Sequence, residues 1–359
     1  MNCYNRAVTE DASPRTYCVT GACGSVGATL VRALLARSDD PHRRVIGLDH
    51  DENGVFRLEE EWSGDPRASF FVADVRDRDT LCARFRGVHT VFHTAALKHV
   101  YQCEKAPFEA VQTNILGTVH VLEAARAAGV GRLVATSTDK AVNPSSVMGT
   151  SKLMAERLVT AASAHAGLDV GGPIFVSTRF GNVLGSNGSV LEIFRRQIFA
   201  GGDLTLTDER MTRFVMRPSE AIRLLVETAD LARGGEVFIT KMAAVRVVDL
   251  ARAAVRRWAP RAGRRAEDVP IRIVGARPGE KFHEELVSEE EGRRVVELDC
   301  YYVVLPAFRP VYRGIDYRYP GARPGALERG YSSARVDHLG DEAIDALLED
   351  LAQEGILCA

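Results

Sequence analysis

The chain has 359 residues and a formal net charge of −2. That is long enough for a large core in two joined parts and too near neutrality for an electrostatic grip on nucleic acid. Apolar residues at 46 % and charged residues at 26 % are ordinary for a soluble globular protein, and no apolar run approaches the ~20 residues of a membrane helix. The seven cysteines form no CxxC pair and no metal-ligand spacing. The polar start Met1–Pro14 lacks a signal-peptide core, so the expectation is reduced thiols in a cytoplasmic protein with no membrane partner.

In chain order, short β-rich runs alternate with helical patterns, the signature of βαβ units and a parallel sheet. The predicted strands are Tyr17–Thr20, Val45–Asp49, Ser69–Ala73, Thr90–His93, Arg132–Ser137 and Ile174–Arg179. Between them the pattern predicts helices Ser25–Ala36, Thr80–Phe85, Pro107–Ala128 and Val147–Ala166, with Pro107 at a helix start and Gly129 at a helix end. After Phe180 the pattern loosens into Gly-, Ser- and Asn-rich loops. Helices near Val190–Ala200 and Ser219–Ala232 and strands near Glu236–Ile239 and Ile271–Val274 follow. The stretch Pro306–Gly330 reads as irregular, and a final amphipathic helix is expected at Asp341–Leu351. The expected division is a nucleotide-binding domain over 1–185, completed by elements around 215–245, and a mainly substrate-binding part with a tail over 186–359.

The first loop, Thr20-Gly21-Ala22-Cys23-Gly24-Ser25-Val26-Gly27, follows a strand and opens a helix. Glycines there let the backbone turn tightly against a pyrophosphate, and the helix N-terminus offers free N–H groups. Cys23 reads as a small residue that fits the loop. Asp49 ends the next strand at about the ~20-residue distance at which a carboxylate meets the adenosine ribose. It would repel a 2′-phosphate, favouring NAD over NADP; the alternative is a turn residue. Asp74-Val75 and Ala95-Ala96 fall at successive carboxyl ends of strands, where open α/β sheets bind ligands, and are expected beside the adenine and the nicotinamide side.

Only six of the 46 basic residues are lysine: Lys98, Lys105, Lys140, Lys152, Lys241 and Lys281. Where arginine is the default cation, a lysine is a candidate for work that needs a compact ammonium or a pKa able to fall. Lys105 and Lys241 read as surface residues. Lys140 follows Asp139 on the loop after the fifth strand, and Lys152 lies on the next helix, one turn beyond Met148.

These residues place the chain in a recognisable pattern. Short-chain dehydrogenases/reductases carry Tyr-x-x-x-Lys on this helix; Lys152 matches the lysine and Met148 replaces the tyrosine. The sequence resembles the UDP-N-acetylglucosamine 4,6-dehydratases, an extended branch of that superfamily, and within them the branch with Met for Tyr. The resemblance covers about Thr16–Glu290. It is carried by Ala95-Ala96-Leu97-Lys98-His99-Val100, Ser137-Thr138-Asp139-Lys140-Ala141, Arg179-Phe180-Gly181-Asn182-Val183-Leu184-Gly185-Ser186, Met211-Thr212-Arg213-Phe214 and Arg277-Pro278-Gly279-Glu280-Lys281.

The resemblance implies a Rossmann-like doubly wound parallel sheet with a smaller C-terminal substrate-binding part. It also implies bound NAD, a UDP-sugar substrate, a homo-oligomer paired through helices 107–128 and 147–166, and retention at C5. In such a reaction a hydride leaves C4, a base takes the C5 proton while an acid protonates the departing C6 hydroxyl, and the hydride returns to C6. Asp139 is then the acid and Lys140 the base, or the two exchange roles. A base at C5 needs a neutral amine, so burial or the Lys152 charge is expected to lower Lys140. A thioether cannot take the C4 hydroxyl proton, so Asp139 or Thr138 is expected to do so in place of Met148. Lys152, with Thr136 and Lys98, is expected to hold the cofactor. Lys98, His99, Asn182, Ser189, Arg213, Arg277 and Glu280 are expected to hold the nucleotide sugar, the arginines on the pyrophosphate and Glu280 on ribose hydroxyls. A 4-epimerase or reductase of the same fold, or a silent NAD-binding sensor, are the rival readings.

Overall fold

The computed structural model describes residues 15–37, 42–166, 172–186, 188–276, 279–312, 314–325 and 327–356. Its frame is a ten-stranded sheet. Six strands come from the first half: β1 (Thr16–Thr20), β2 (Arg44–Asp49), β3 (Ala68–Val72), β4 (Thr90–His93), β5 (Arg132–Thr138) and β6 (Ile174–Phe180). They lie in the order β3-β2-β1-β4-β5-β6, all parallel. Strand Val237–Thr240 extends the parallel run beside β6, and Tyr301–Val304, Val295–Glu297 and Arg323–Gly325 finish the sheet antiparallel. The order reverses between β1 and β4, and that crevice at the carboxyl ends is where such sheets take ligands.

The two sides of the sheet are packed differently. Helices Ser25–Ala36 and Pro218–Leu231 cover one face, burying Leu30, Val31, Leu34, Leu224 and Leu225. Helices Arg78–Arg84, Gly117–Ala127 and Val147–Ala166 belong to the other, where Leu81, Val121, Ala125 and Val159 are buried. A separate core forms from Leu191, Phe194, Leu250, Trp258, Ile344 and Leu348, on helices Val190–Phe199, Val247–Trp258 and Asp341–Gln353.

Three departures from the predicted elements have physical reasons. The helix expected at Pro107–Ala128 runs from Pro107 to Ala127 but opens into a π-helical stretch at Val111–Leu116, as helices do at functional sites. A helix at Glu52–Glu61 is unforeseen because its charged run leaves only Gly54, Val55 and Leu58 facing the core. The tail is not wholly irregular: Arg309–Tyr312 forms a short turn of helix, and Arg323–Gly325 joins the sheet. Its tyrosines fasten it, with Tyr312, Tyr317 and Tyr319 donating to Thr160 O, Gly234 O and Glu236 Oε1.

Candidate active site

Loop 20–27 makes a tight cradle at the end of β1. Gly21 has φ +74°, and a Cβ on it would lie 2.6 Å from Ala95 N; a Cβ on Gly27 would overlap the Gly21 carbonyl oxygen. Only glycine fits either place. Helix Ser25–Ala36 begins after an extended Gly24 with no side-chain cap among the described residues. A cavity of about 270 Å³ opens there, lined in part by Cys23, Gly24, Ser25, Val26, Ser186 and Ile356. Burial, then the carboxylates of Asp49 and Asp51, push the Cys23 thiol up to about 12, so Cys23 is a small inert wall residue. The buried Asp49 accepts from Cys23 N at 2.9 Å and Asp51 N at 3.1 Å. It therefore anchors the loop, and the His50 ring stands beside it, Nδ1 3.2 Å from Asp49 Oδ1.

Along the crevice, Asp74 pairs with Arg76 at 2.6 Å and Val75 is buried against Gly117. The Thr136 hydroxyl donates to His93 O at 3.2 Å. Asn114, in the π-helical stretch, is a positioning residue the sequence reading missed. Its Oδ1 accepts from Leu97 N at 2.8 Å, and its Nδ2 donates to Leu97 O and Ser151 Oγ. It thus ties the Ala95–His99 loop to the helix that carries Lys152. A lone asparagine in an otherwise helical run was the available signal. Met148 is buried with Cys103 and Ala110. Burial lowers Lys152 to about 8, with Glu156 opposing. Burial also lowers Lys98, again with a glutamate, Glu192, opposing. Gly188 lies against the His99 ring, so Lys98, His99 and the Ser189 loop converge.

The chemistry gathers where β5 ends. Asp139–Ala141 is a single 3-10 turn capped by Thr138, whose Oγ1 accepts from Lys140 N and donates to Asp139 Oδ1 at 2.8 Å. Lys140 Nζ lies 2.9 Å from Asp139 Oδ1 and 3.5 Å from Asn182 Oδ1. A third group, not foreseen, completes the cluster: Glu284, 2 % exposed, with Oε1 3.6 Å from Lys140 Nζ and 3.8 Å from Arg213 Nε. It arrives because segment 279–284 lies across the loop after β5, held by Lys281 Nζ donating to Val142 O at 2.6 Å and Ser145 Oγ to Gly279 O at 3.1 Å.

One expectation is corrected. Burial does act to lower Lys140, but the carboxylates of Asp139 and Glu284 outweigh it and hold the ammonium above the usual lysine range. Arg213 is turned toward backbone, donating to Thr212 O, Phe282 O and Lys281 O, so it holds the overlying segment. Glu280 lies on that segment, at the rim of a second cavity with Lys281 and His283. Arg277 lies outside the described residues.

Buried oxygens without a hydrogen-bond partner among the described residues include Ser137 Oγ, Asp139 Oδ2, Ser189 Oγ and Glu284 Oε2. Asp139 Oδ2 and Glu284 Oε2 belong to the two carboxylates that flank Lys140 Nζ. No described helix is long and apolar enough to cross a membrane, and no described His, Cys, Asp or Glu cluster could hold a metal.

The chain is 44 % identical, over 94 % of its length and 96 % of the relative's, to an uncharacterized membrane protein of Methanocaldococcus jannaschii. It is 35 % identical to the UDP-N-acetylglucosamine 4,6-dehydratase (inverting) of Campylobacter jejuni, over 83 % of this chain and 85 % of that one. It is 34 % identical to a UDP-glucose 4-epimerase of Rickettsia bellii, over 94 % and 96 %. The chain spans about half, 52 %, of the capsular polysaccharide biosynthesis protein CapD of Staphylococcus aureus, at 36 % identity over 96 % of its own length.

Among solved structures, Pen from Bacillus thuringiensis superposes with a TM-score of 0.85 at 30 % identity, covering 97 % of this chain and all of that one. The dTDP-glucose 4,6-dehydratase DesIV of Streptomyces venezuelae, solved with NAD and TYD bound, gives 0.65 at 26 % identity, covering 74 % and 86 %. The fold is that of an extended short-chain dehydrogenase/reductase. With residues 17–306 matching the family model described as polysaccharide biosynthesis protein, the chain belongs to that family, among the nucleotide-sugar 4,6-dehydratases and 4-epimerases.

Proposed function

We propose that this chain is a 4,6-dehydratase of UDP-N-acetylglucosamine that keeps NAD tightly bound, retains C5 configuration and serves a cytosolic sugar-biosynthesis pathway. The observation that carries this reading is the pair formed by the buried Asp139 and the half-buried Lys140 at the carboxyl end of β5, with Asp139 Oδ2 unpartnered among the described residues. The residues at the first loop fit NAD: the Gly21–Gly27 cradle takes the pyrophosphate, Asp49 the ribose, and Lys152 the nicotinamide ribose. When bound, NAD supplies hydride acceptance at C4 and hydride return at C6.

The chain's own groups do the proton work. Lys140 enters as ammonium, 2.9 Å from Asp139 Oδ1, and one proton passes from Nζ to Oδ1 before the pair acts. The amine then takes the C5 proton, and the Asp139 acid gives its proton to the departing C6 oxygen. The same Lys140 returns a proton to C5 from the face that lost one, which retains configuration. The C4 hydroxyl proton leaves through Thr138 to solvent in place of Met148, and solvent returns one proton to Lys140 when the cycle closes. Lys98, His99, Asn182 and Ser189 address the sugar and phosphates, with Arg277 and Glu280 on the nucleotide. We assign residues 1–185, with the strands near 215–245, to cofactor binding and the later part mainly to substrate. Tyr101, Phe108, Val111 and Leu116 are exposed apolar residues along helices Val100–Lys105 and Pro107–Ala127, and Met154 is another on Val147–Ala166. They support pairing of two copies through these helices.

The test is incubation of the purified protein with UDP-N-acetylglucosamine in deuterated water, without added cofactor. A 4-keto-6-deoxy product with deuterium at C5, and the C4 hydrogen transferred to C6, is the expected result. The likeness to the Rickettsia epimerase favours a second reading, 4-epimerisation. That reaction needs no acid and base at C5 and C6, and it would yield the C4 epimer with no solvent deuterium.

A further inference from the structure

Glu284 belongs to no step above, yet it is built into the site. Its carboxylate is 2 % exposed, with one oxygen 3.6 Å from Lys140 Nζ and the other buried without a partner among the described residues. Burying a carboxylate is unfavourable unless its charge is answered. The charged groups facing it are Lys140 and Asp139 from the turn after β5, Arg213 from strand Thr212–Met216, and Lys281 from its own segment. Arg213 gives Nη1 and Nη2 to carbonyls and stands with Nε 3.8 Å from Glu284, farther than Lys140 Nζ at 3.6 Å, while Lys281 donates to Val142 O. Lys140 is therefore the cation that Glu284 is placed to govern.

We propose that Glu284 is a positioning residue that sets which proton the Asp139–Lys140 pair carries, a role resting on the dehydratase reading only for its use in turnover. As a carboxylate, Glu284 gives the ammonium a second anion and keeps the proton on Nζ. Once Glu284 holds a proton, only Asp139 faces the ammonium. The proton then passes from Lys140 Nζ to Asp139 Oδ1, leaving an amine and a carboxylic acid, with no net charge created. Burial, with the Asp139 charge adding to it, pushes the Glu284 carboxyl up, against Lys140, Arg213 and Lys281. That is the direction that lets Glu284 take a proton from solvent, and Lys140 then loses its second anion.

The experiment titrates Lys140 directly in the substrate-free, NAD-containing protein, following reductive methylation of residue 140 by mass spectrometry as a function of pH. Glu284→Gln should lower the midpoint by about one to three pH units, the range a charge at ~4–6 Å imposes. The limb of the pH–kcat profile with UDP-N-acetylglucosamine that disappears in Lys140→Ala should move down with it. Glu284→Asp keeps the charge and should return the midpoint most of the way. If Glu284→Gln does not fold, Glu284→Asp, which withdraws the carboxylate by one methylene, must still lower the midpoint measurably. An unmoved Lys140 midpoint in the folded variants overturns the proposal even if dehydration proceeds. A shifted midpoint with no product from UDP-N-acetylglucosamine leaves it standing and overturns the substrate reading instead.

Discussion

Replacing Arg179 by methionine tests how the catalytic helix is fixed to the later part of the chain. Arg179, on β6, is fully buried and uses all five N–H donors. Two go to Glu156 at 2.5 and 3.0 Å, two to Glu291 at 2.7 Å each, and Nη1 also reaches Leu286 O at 2.9 Å. Glu156 lies one turn beyond Lys152. Arg179→Met leaves two carboxylates facing each other in the core, and breaking a buried pair in this way costs about 3–5 kcal/mol. An independent route gives the same size. Burial acts to raise Glu291, but Arg179 outweighs it and holds the carboxyl down to about 2, against an ordinary 4.5. That gap corresponds to about 3 kcal/mol of linkage.

The sign follows from the lowered value. This stabilisation is fully present above pH 4.5 and is lost as pH falls toward 2, as the carboxylate takes its proton. Urea denaturation followed by circular dichroism should therefore show a large deficit for Arg179→Met near neutrality. The deficit should shrink below about pH 4.5, where protonated Glu156 and Glu291 no longer repel. Adding Glu156→Gln and Glu291→Gln to the variant should restore most of the stability at neutral pH. Equal midpoints at neutral pH, or a deficit that grows on acidification, would refute the reasoning.

Three further outcomes are expected. Asp139→Asn and Lys140→Ala should each lose at least ~10²-fold in product formation, and Lys140→Ala should accumulate reduced cofactor, visible by absorbance; normal turnover would remove both from the mechanism. Asp49→Ala should weaken NAD binding by roughly 1.5–3 kcal/mol and relax discrimination against NADP in calorimetry. Because Asp49 also holds Cys23 N and Asp51 N, its melting temperature should fall as well, and unchanged cofactor affinity would leave Asp49 as a loop anchor alone. Met148→Ala should cost about 2–5 kcal/mol of stability, the range for a buried methionine, since it packs with Cys103 and Ala110. Activity per folded molecule should change little; a folded but dead Met148→Ala would return the chemistry to that position.

What was legible in the sequence was local. β1 to β6 announce themselves as apolar β-rich runs, and the glycine loop needs no distant partner to be read. The scarcity of lysine drew attention to Lys140, which meets Asp139 and Glu284, and to Lys152, which burial lowers, while Lys105 rests on the Tyr101 ring and Lys241 pairs with Glu297. What escaped depended on contacts between remote segments. His283-Glu284-Glu285 reads as a solvated charged run, and Glu285 does bond Asn143 near the surface. Glu284 is buried because Lys281 and Ser145 pin its segment over the loop after β5 and Ser333 bonds its backbone on the other side. The direction of the Lys140 shift failed for the same reason, since the second carboxylate came from that segment. Strands Thr212–Met216 and Ala243–Arg246 were missed because they are short and pair with each other in a small separate sheet, the first also with Asn182–Val183.

The end of helix Asp341–Gln353 has a consequence of a different kind. Ile356, just past it, presses on Gly185 and forms part of the wall of the cavity at the first glycine loop, and Arg217 and Ser219 bond Asp350 and Glu354 beside it. Any molecule that fills that cavity binds the docked state of this helix in preference to an undocked one. Docking and occupancy are then thermodynamically linked, each strengthening the other by the same factor. Hydrogen-exchange protection of the residues around Ile356 should then rise when the cavity is filled.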